Sequence, residues 1–251
     1  MTTLKIIEVK DYEEMSKKAA EYMLKKIKSS SQLNIGLATG GTPKGVYQEL
    51  IKDYSQNKTS YTHIKTFNLD EYIGLKKDDP NSYFHYMNEN LFKHIGISVE
   101  QTHIPSGTNE NTVAECEAYE NMIKNAGGID LQLLGIGANG HIGFNEPGTS
   151  FQSKTHVVDL ADSTREANAR FFDRLEDVPK QAITMGIHTI FQSKEIILLA
   201  SGKAKQQAMV ELLNGEVTEL FPASILNNHL NTIVIADEEA LRGVKKTTNA
   251  M

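Results

Sequence analysis

The stretch LLGIGANGHIGFNEPG, residues 133–148, decides between two very different α/β architectures. It begins with an apolar run of strand type and continues as G-I-G-A-N-G, the spacing of a dinucleotide-binding fingerprint. That fingerprint requires a helix directly after its glycines, whereas Gly143, Pro147 and Gly148 interrupt any helix at this point. We therefore reject a dinucleotide site and interpret the stretch as a buried strand followed by a tight loop that presents polar side chains.

The rest of the chain repeats this alternation of short apolar runs with helical patterns. The strand-type runs are LKIIEV (4–9), LNIGLA (33–38), YTHIKTFNL (61–69), QTHIP (101–105), IDLQLLGIG (129–137), HVVDL (156–160), EIILLA (195–200) and NTIVIA (231–236). The segments between them carry apolar residues at helical spacing, for example over 112–125. This order predicts βαβ units, hence a Rossmann-like, mostly parallel sheet sandwiched by helices. No proline-rich or glycine-serine linker divides the chain, so we expect residues 1–251 to form a single domain.

Composition narrows the class of partner. The chain has 251 residues and a formal net charge of −6, and its 26 Lys and Arg are scattered rather than clustered. A nucleic-acid-binding protein is expected to present a basic face, so we expect no nucleic-acid partner. The first residues lack the apolar core of a signal peptide, and the longest apolar runs have strand length. We therefore expect a cytoplasmic protein without a membrane segment.

In folds of this class, ligands bind at the carboxyl ends of the strands, so the residues that follow each strand matter most. The first such loop, ATGGTPKG, contains Gly40 and Gly41, which let backbone N–H groups approach a ligand closely. Thr42 suits a helix N-cap and Pro43 a first helical position, which predicts an anion site at a helix N-terminus. The alternative is an ordinary strand-to-helix turn.

A second loop, SGKAK, follows the strand-type run EIILLA. Lys203 and Lys205 lie in the first turn of the predicted helix. A cation is unfavourable at this end of the helix dipole, so a bound anion would explain the two lysines. Exposed lysines without a role are the alternative.

A third loop begins with two adjacent carboxylates, Asp70 and Glu71, directly after an apolar strand. Neighbouring residues of an extended chain point to opposite sides, so we expect only one of them to face the cleft. A carboxylate at the end of a strand, near a partly dry pocket, is a candidate general base. The alternative is a solvated turn or a helix N-cap.

The fourth loop is the glycine-rich stretch itself, which presents Asn139, His141 and Glu146. A histidine titrates near neutrality and can move a proton in either direction, and Glu146 is close enough in sequence to orient its imidazole. The alternative is a histidine that merely packs in a glycine turn. We expect no metal, because no second histidine lies at ligand spacing. A phosphate cradle, a carboxylate base and a His–Glu pair together suit a sugar phosphate as the substrate.

At this point the sequence resembles the glucosamine-6-phosphate deaminases. The resemblance rests on GLATGGTP, TFNLDEYIGL, NSYFHYMNENLF, GIGANGHIGFNEPG and STREANARFF, which occur in order and at fitting spacing along essentially the whole chain. It implies a fold shared with ribose-5-phosphate isomerase and 6-phosphogluconolactonase. It also implies conversion of glucosamine 6-phosphate and water to fructose 6-phosphate and ammonia, without a cofactor.

The resemblance also implies roles for individual residues. Asp70 matches the base that moves a proton from C2 to C1, and His141 matches the residue that opens the pyranose ring. Asn139 and Glu146 match its helpers, although some members have Asp where this chain has Asn139, and Asn cannot accept a proton. The residues that match the phosphate site are Thr39, Gly40, Gly41, Thr42, Arg170 and Lys205. Arg170 lies in a segment, about 156–184, that resembles the mobile lid of the family.

Regulation is a further implication. Larger members of the family are oligomers that N-acetylglucosamine 6-phosphate activates at a site between subunits, which uses basic side chains and a C-terminal tyrosine. The matching basic positions here are His156 and Val158, and no tyrosine lies near Met251. We therefore expect an unregulated enzyme that is a monomer or a small homo-oligomer.

Two alternatives stay open. A 6-phosphogluconolactonase has a similar Gly-His loop, but with DGHTASLFP character and ER after the aspartate, whereas this chain has GHIGFNEPG and DEYIG. Some bacterial regulators bind sugar phosphates with a related domain. They carry an N-terminal pair of DNA-binding helices, whereas this acidic chain opens on LKIIEV.

Overall fold

A central sheet of seven parallel strands organises the chain. The structure is a computed structural model, and it describes residues 4–160, 164–166, 169, 172 and 174–244. The strands are β1 (Lys5–Val9), β2 (Leu33–Leu37), β3 (Ile64–Asn68), β5 (Thr102–His103), β6 (Leu131–Gly135), β9 (Glu195–Ala200) and β10 (Thr232–Asp237). Their spatial order is β1-β10-β9-β6-β2-β3-β5, and every pair is parallel. The prediction of a mostly parallel α/β sheet is therefore confirmed.

Helices cover both faces of this sheet, as expected for strands that are apolar on both sides. The longer ones are α1 (Tyr12–Ser29), α2 (Gly41–Asn57), α3 (Tyr83–Asn90), α4 (Thr112–Asn125) and α6 (Gln206–Asn214); α5 (Ile187–Phe191) and α7 (Glu238–Leu241) are short. Helices α1, α2 and α3 pack on one face, around Met23, Tyr47 and Met87. The other face carries α4 to α7, with Tyr119 and Met209 in its core. No helix among these residues is long and apolar enough to cross a membrane.

A second sheet, which the sequence patterns do not predict, lies at the carboxyl edge of the first. Three short antiparallel strands form it: β4 (Asp70–Tyr72), β7 (His156–Asp159) and β8 (Gln181–Thr184). Strand β8 is central, and its Thr184 pairs with Asp70 on one side and with His156 on the other. The second sheet thus fixes the backbone direction of Asp70.

The small sheet also bears on the segment predicted as a lid. Both ends of the range 156–184 are strands of that sheet, and they are anchored because β8 pairs with β4 and β7 pairs with β8. Between them, Arg165 donates hydrogen bonds to the carbonyls of Leu175 and Val178. Arg170 lies outside the described residues.

Candidate active site

The four loops singled out in the sequence meet in one cleft, because the strands before them are neighbours in the sheet. Strands β9, β6, β2 and β3 lie side by side, and the loop after each strand contributes to the cleft wall. The cleft has a volume of about 800 Å³, which lies within the range typical of small-molecule sites. The predicted site residues that line it are Thr39, Gly40, Gly41, Thr42, Asp70, Asn139, His141 and Lys205.

Asp70 begins strand β4 and lines the cleft, although only 6% of its surface is exposed. Burial and the neighbouring charge of Glu71 raise the pKa of Asp70 to about 8. Glu71 lies on the opposite side of the strand, where its carboxylate accepts hydrogen bonds from the backbone N–H groups of Tyr72, Tyr83 and Phe84. One carboxylate therefore faces the cleft, while the other caps helix α3.

The glycine-rich loop lies directly beside this carboxylate. Gly143 has a φ of +58°, and a Cβ there would lie 3.0 Å from Thr184 Oγ1 and 3.6 Å from Asp70 Oδ2. Only a glycine adopts this conformation freely and leaves that space open. Gly143 thus lets the glycine-rich loop that carries His141 pass close to Asp70.

His141 extends into the cleft from the same loop, and a glycine makes room for its ring. A Cβ on Gly137 would lie 2.3 Å from His141 Nδ1. Nδ1 is buried and lies 3.6 Å from Glu146 Oε1, slightly beyond hydrogen-bonding range. The two groups form an ion pair when the imidazole is protonated. The structure thus brings together His141 and Glu146, as the sequence predicted.

Glu146 has two further partners. Its Oε2 accepts a hydrogen bond from Asn139 Nδ2 at 2.7 Å, and its Oε1 accepts one from the Thr164 hydroxyl at 2.7 Å. Burial by itself would raise the pKa of Glu146, but nearby His141 and the hydrogen bonds from Thr164 and Asn139 lower it to about 2. Glu146 is therefore ionised throughout the physiological range.

Asn139 acts on the imidazole indirectly. Besides its bond to Glu146, its Oδ1 accepts the backbone N–H of His141 at 3.2 Å. Its side chain thus contacts the carboxylate partner and the backbone of the histidine. An amide can make both contacts, because the first needs a donor and the second an acceptor. Neither contact requires the side chain to take up a proton.

The glycine loop after β2 differs from its prediction in one detail. Helix α2 begins at Gly41 and its N-cap is Gly40, with a φ of +100° and no side-chain cap, so Thr42 is not the N-cap and Pro43 is the third helical residue. The predicted cap was wrong because a glycine in this conformation turns the chain two residues earlier. No described side chain caps the first N–H groups of α2, an arrangement that is compatible with a bound anion.

Lys205 reaches the cleft from the loop after β9, and Lys203 does not line it. Gly202, two residues after that strand, donates its N–H to both carboxylate oxygens of Asp237 at 3.0 Å. Asp237 is buried at the end of β10 and also accepts a bond from the hydroxyl of Ser201. The neighbouring strand thus holds the loop that presents Lys205.

Sequence reasoning missed an aromatic wall of the cleft, formed by Tyr72, Tyr83, Phe144 and Phe172. The Tyr83 and Phe144 rings are 6.1 Å apart and nearly parallel, and the Tyr72 and Phe172 rings meet edge to face at 5.8 Å. These rings give the cleft an apolar wall. Single aromatic residues carry no periodic signal, and only the tertiary fold brings these four together.

Comparison with known proteins gives a consistent result. Residues 10–235 match the family model of glucosamine-6-phosphate isomerases/6-phosphogluconolactonase. A glucosamine-6-phosphate deaminase of Shouchella clausii is 62% identical over 237 residues, covering 94% of this chain and 96% of the relative. One from Clostridium perfringens is 48% identical over 242 residues, covering 96% of this chain and all of the relative.

Solved structures point the same way. A monomeric glucosamine-6-phosphate deaminase superposes with a TM-score of 0.93 at 51% identity, covering 94% of this chain and 98% of that one. The 6-phosphogluconolactonase of Trypanosoma brucei superposes with a TM-score of 0.78 at 19% identity, covering 96% and 99%. At that identity the lactonase shares the fold alone.

Proposed function

The chain belongs to the family of glucosamine-6-phosphate isomerases and 6-phosphogluconolactonases, and on this premise we propose the reaction of its site in detail. The enzyme converts α-D-glucosamine 6-phosphate and water to β-D-fructose 6-phosphate and ammonia. Relatives that are 48–62% identical to this chain are named glucosamine-6-phosphate deaminases, whereas the similar 6-phosphogluconolactonase structures are at most 24% identical to it. The deaminase reaction is therefore favoured over lactone hydrolysis.

The observation that carries this proposal is the buried carboxylate of Asp70 in the same cleft as His141. Moving a proton between neighbouring carbons requires a base that faces a C–H group in a dry site, and a pKa near the operating pH suits this task. Hydrolysis of a lactone requires no such base. The ammonium group of a bound amino sugar also favours the ionised carboxylate, because a nearby opposite charge lowers its pKa.

The steps follow from this arrangement. His141 takes the proton of the C1 hydroxyl and gives one to the ring oxygen, which opens the ring to the aldehyde. Asp70 then takes the proton from C2 and returns it to C1, while the C1 oxygen gains the proton that the C2 ammonium group loses. The C1=O double bond is thereby replaced by a C2=N double bond, which leaves an iminium group at C2. Water adds to C2 and ammonia leaves, so the product is the ketose phosphate. Glu146 stabilises the imidazolium form of His141 in the first step.

The phosphate of the substrate binds at the start of helix α2. The backbone N–H groups of Thr39, Gly41 and Thr42 and the ammonium group of Lys205 are its ligands, because helix N-termini and lysines both favour anions. Arg170, which lies outside the described residues, is proposed as a second cation for the phosphate.

A comparison of two substrates tests the proposed function. The same preparation is supplied with glucosamine 6-phosphate, with ammonia as the readout, and with 6-phosphogluconolactone, with acid release as the readout. We expect turnover of the amino sugar alone. Turnover of the lactone at a comparable kcat/KM would contradict the proposal.

The phosphate site gives a separate prediction. Replacing Lys205 by alanine should raise KM about tenfold or more, because a hydrogen bond to a charged group contributes roughly 1.5–3 kcal/mol. The KM of the variant should also depend less on ionic strength, since one charge of the site is gone. Lys203→Ala is the matched control, because Lys203 lies in the same turn outside the cleft lining. Equal KM values for the two variants would remove Lys205 from the site.

We further propose that this enzyme is a monomer or small oligomer that N-acetylglucosamine 6-phosphate does not activate. Val158 packs against the cluster of Tyr72, Phe144 and Leu160, so an apolar side chain occupies one of the two positions at which activated relatives bind phosphate. An apolar side chain makes no charge-assisted hydrogen bond. Initial rates should follow a hyperbola with and without N-acetylglucosamine 6-phosphate. A sigmoidal curve that the acetylated sugar converts to a hyperbola would refute this.

A further inference from the structure

Three phenol groups from three different helices bind the backbone carbonyls of the glycine loop 38–41. The donor–acceptor pairs are Tyr47–Ala38, Tyr86–Gly40 and Tyr12–Gly41. The Tyr86 bond is 2.6 Å long and the Tyr12 bond 2.9 Å, and these residues are 46 and 29 positions from their acceptors. Helices α1, α2 and α3 each contribute one tyrosine, so the loop is held from three sides.

The direction of a carbonyl determines the direction of the next N–H group. A trans peptide is planar, so the C=O of one residue and the N–H of the following residue point in opposite directions. Because Ala38, Gly40 and Gly41 direct their carbonyls at phenols, the amides of Thr39, Gly41 and Thr42 point away from those phenols. These residues line the cleft, so the tyrosines orient the amides that the proposed function assigns to phosphate.

Tyr12 makes an additional bond, to the first turn of helix α2. Its hydroxyl accepts the N–H of Gly45 at 2.8 Å while it donates to the carbonyl of Gly41. Gly41 and Gly45 are four residues apart, so the phenol of Tyr12 bridges a carbonyl and an N–H group that would otherwise pair in the first turn of α2. A Cβ on Gly45 would lie 3.0 Å from this hydroxyl and 2.3 Å from Ser16 Oγ, so the glycine lets α1 approach this closely.

We propose that Tyr12 is a positioning residue for phosphate binding: its hydroxyl fixes the first turn of α2 so that the N–H of Thr42 points at the anion. The inference rests on the proposed function of the loop. Tyr12 lies outside the residues that line the cleft, so it acts through the loop rather than on the substrate. Tyr86 lines the cleft itself, and a variant there would mix both effects.

The experiment compares Tyr12→Phe with Tyr22→Phe. Both residues are on α1, and each variant loses one phenol oxygen. The Tyr22 hydroxyl donates to Glu195, which begins β9 at the sheet edge away from the cleft. We expect Tyr12→Phe to raise KM for glucosamine 6-phosphate roughly three- to tenfold with kcat nearly unchanged, because one hydrogen bond contributes about 1 kcal/mol. Inorganic phosphate, measured by calorimetry, should bind more weakly by a similar factor, and Tyr22→Phe should match the wild type in both measurements.

The two readouts separate the failure of this inference from failure of the proposed function. If the wild type releases no ammonia but binds phosphate, the deaminase proposal fails, and phosphate binding to Tyr12→Phe still tests the tyrosine. Equal phosphate affinities in Tyr12→Phe and Tyr22→Phe would overturn the inference. So would an equal loss of thermal stability and affinity in both variants, because that is the result of a purely structural role. A wild type that binds no phosphate would overturn it as well.

Discussion

The Asp70→Asn variant should bind glucosamine 6-phosphate with nearly normal affinity and lose ~10²–10⁴-fold in kcat, the usual cost of losing a positioned general base. The side chains have the same shape, and the amide cannot accept the C2 proton. Asp70 is held by β4 pairing with Thr184, so the substitution leaves the cleft geometry intact. The measurements are the steady-state rate of ammonia release and the affinity for fructose 6-phosphate.

Thermal stability provides a second readout with a defined sign. The folded-state pKa of Asp70 is about 8, above its ordinary value, so the folded protein binds this proton more tightly than the unfolded chain does. The contribution of that proton to stability is lost as the pH rises through about 8. Replacement by asparagine should therefore raise Tm relative to the wild type, and the gain should grow as the pH rises from about 4 to about 8 and then level off.

Asp159→Asn is the control for both readouts. It changes the same chemical group on strand β7, at an exposed position. It should preserve kcat and show no Tm gain that grows between about pH 4 and pH 8. An Asp70→Asn variant with near wild-type kcat would contradict the assignment of the base.

The His141→Gln variant should lose about 10²-fold or more in the forward reaction, because glutamine cannot transfer a proton during ring opening. Exchange of the C1 proton of fructose 6-phosphate with solvent should fall far less, since that step starts from an open chain and uses Asp70. The two rates are measured on the same preparation, by ammonia release and by proton NMR in deuterated water. The ratio of the two losses distinguishes a ring-opening base from a general defect.

A histidine outside the site provides the matched control. His188 lies on α5 away from the cleft lining, so His188→Gln should leave both rates at the wild-type level. If His141→Gln lowers both rates equally, His141 is not a dedicated ring-opening base.

The elements that the sequence predicts well are those whose signals are local. Helix α4 was expected over 112–125 and has those bounds, because Asn111 caps its start through the N–H of Ala114 and two glycines follow its end. The parallel strands are continuous apolar runs between turn residues, and these give a signal that requires no tertiary information. The side to which Asp70 and Glu71 point also follows from the alternation of a strand.

The elements that were missed depend on contacts between distant parts of the chain. Strand β4 has three residues and pairs with β8 more than a hundred positions later, so no local pattern marks it. The Thr164 hydroxyl on Glu146 and the phenols on the glycine loop are likewise side-chain contacts that form only after the helices have packed. The helix start at Gly41 was placed wrongly because a threonine cap and a glycine turn are both compatible with TGGTP.

The stoichiometry of product formation tests the central proposal most directly. Wild-type protein is incubated with glucosamine 6-phosphate, and ammonia and fructose 6-phosphate are quantified in the same sample, with Asp70→Asn in parallel. We predict equal amounts of the two products from the wild type and a trace from the variant. Ammonia release that does not differ between the two proteins, or fructose 6-phosphate without ammonia, would contradict it.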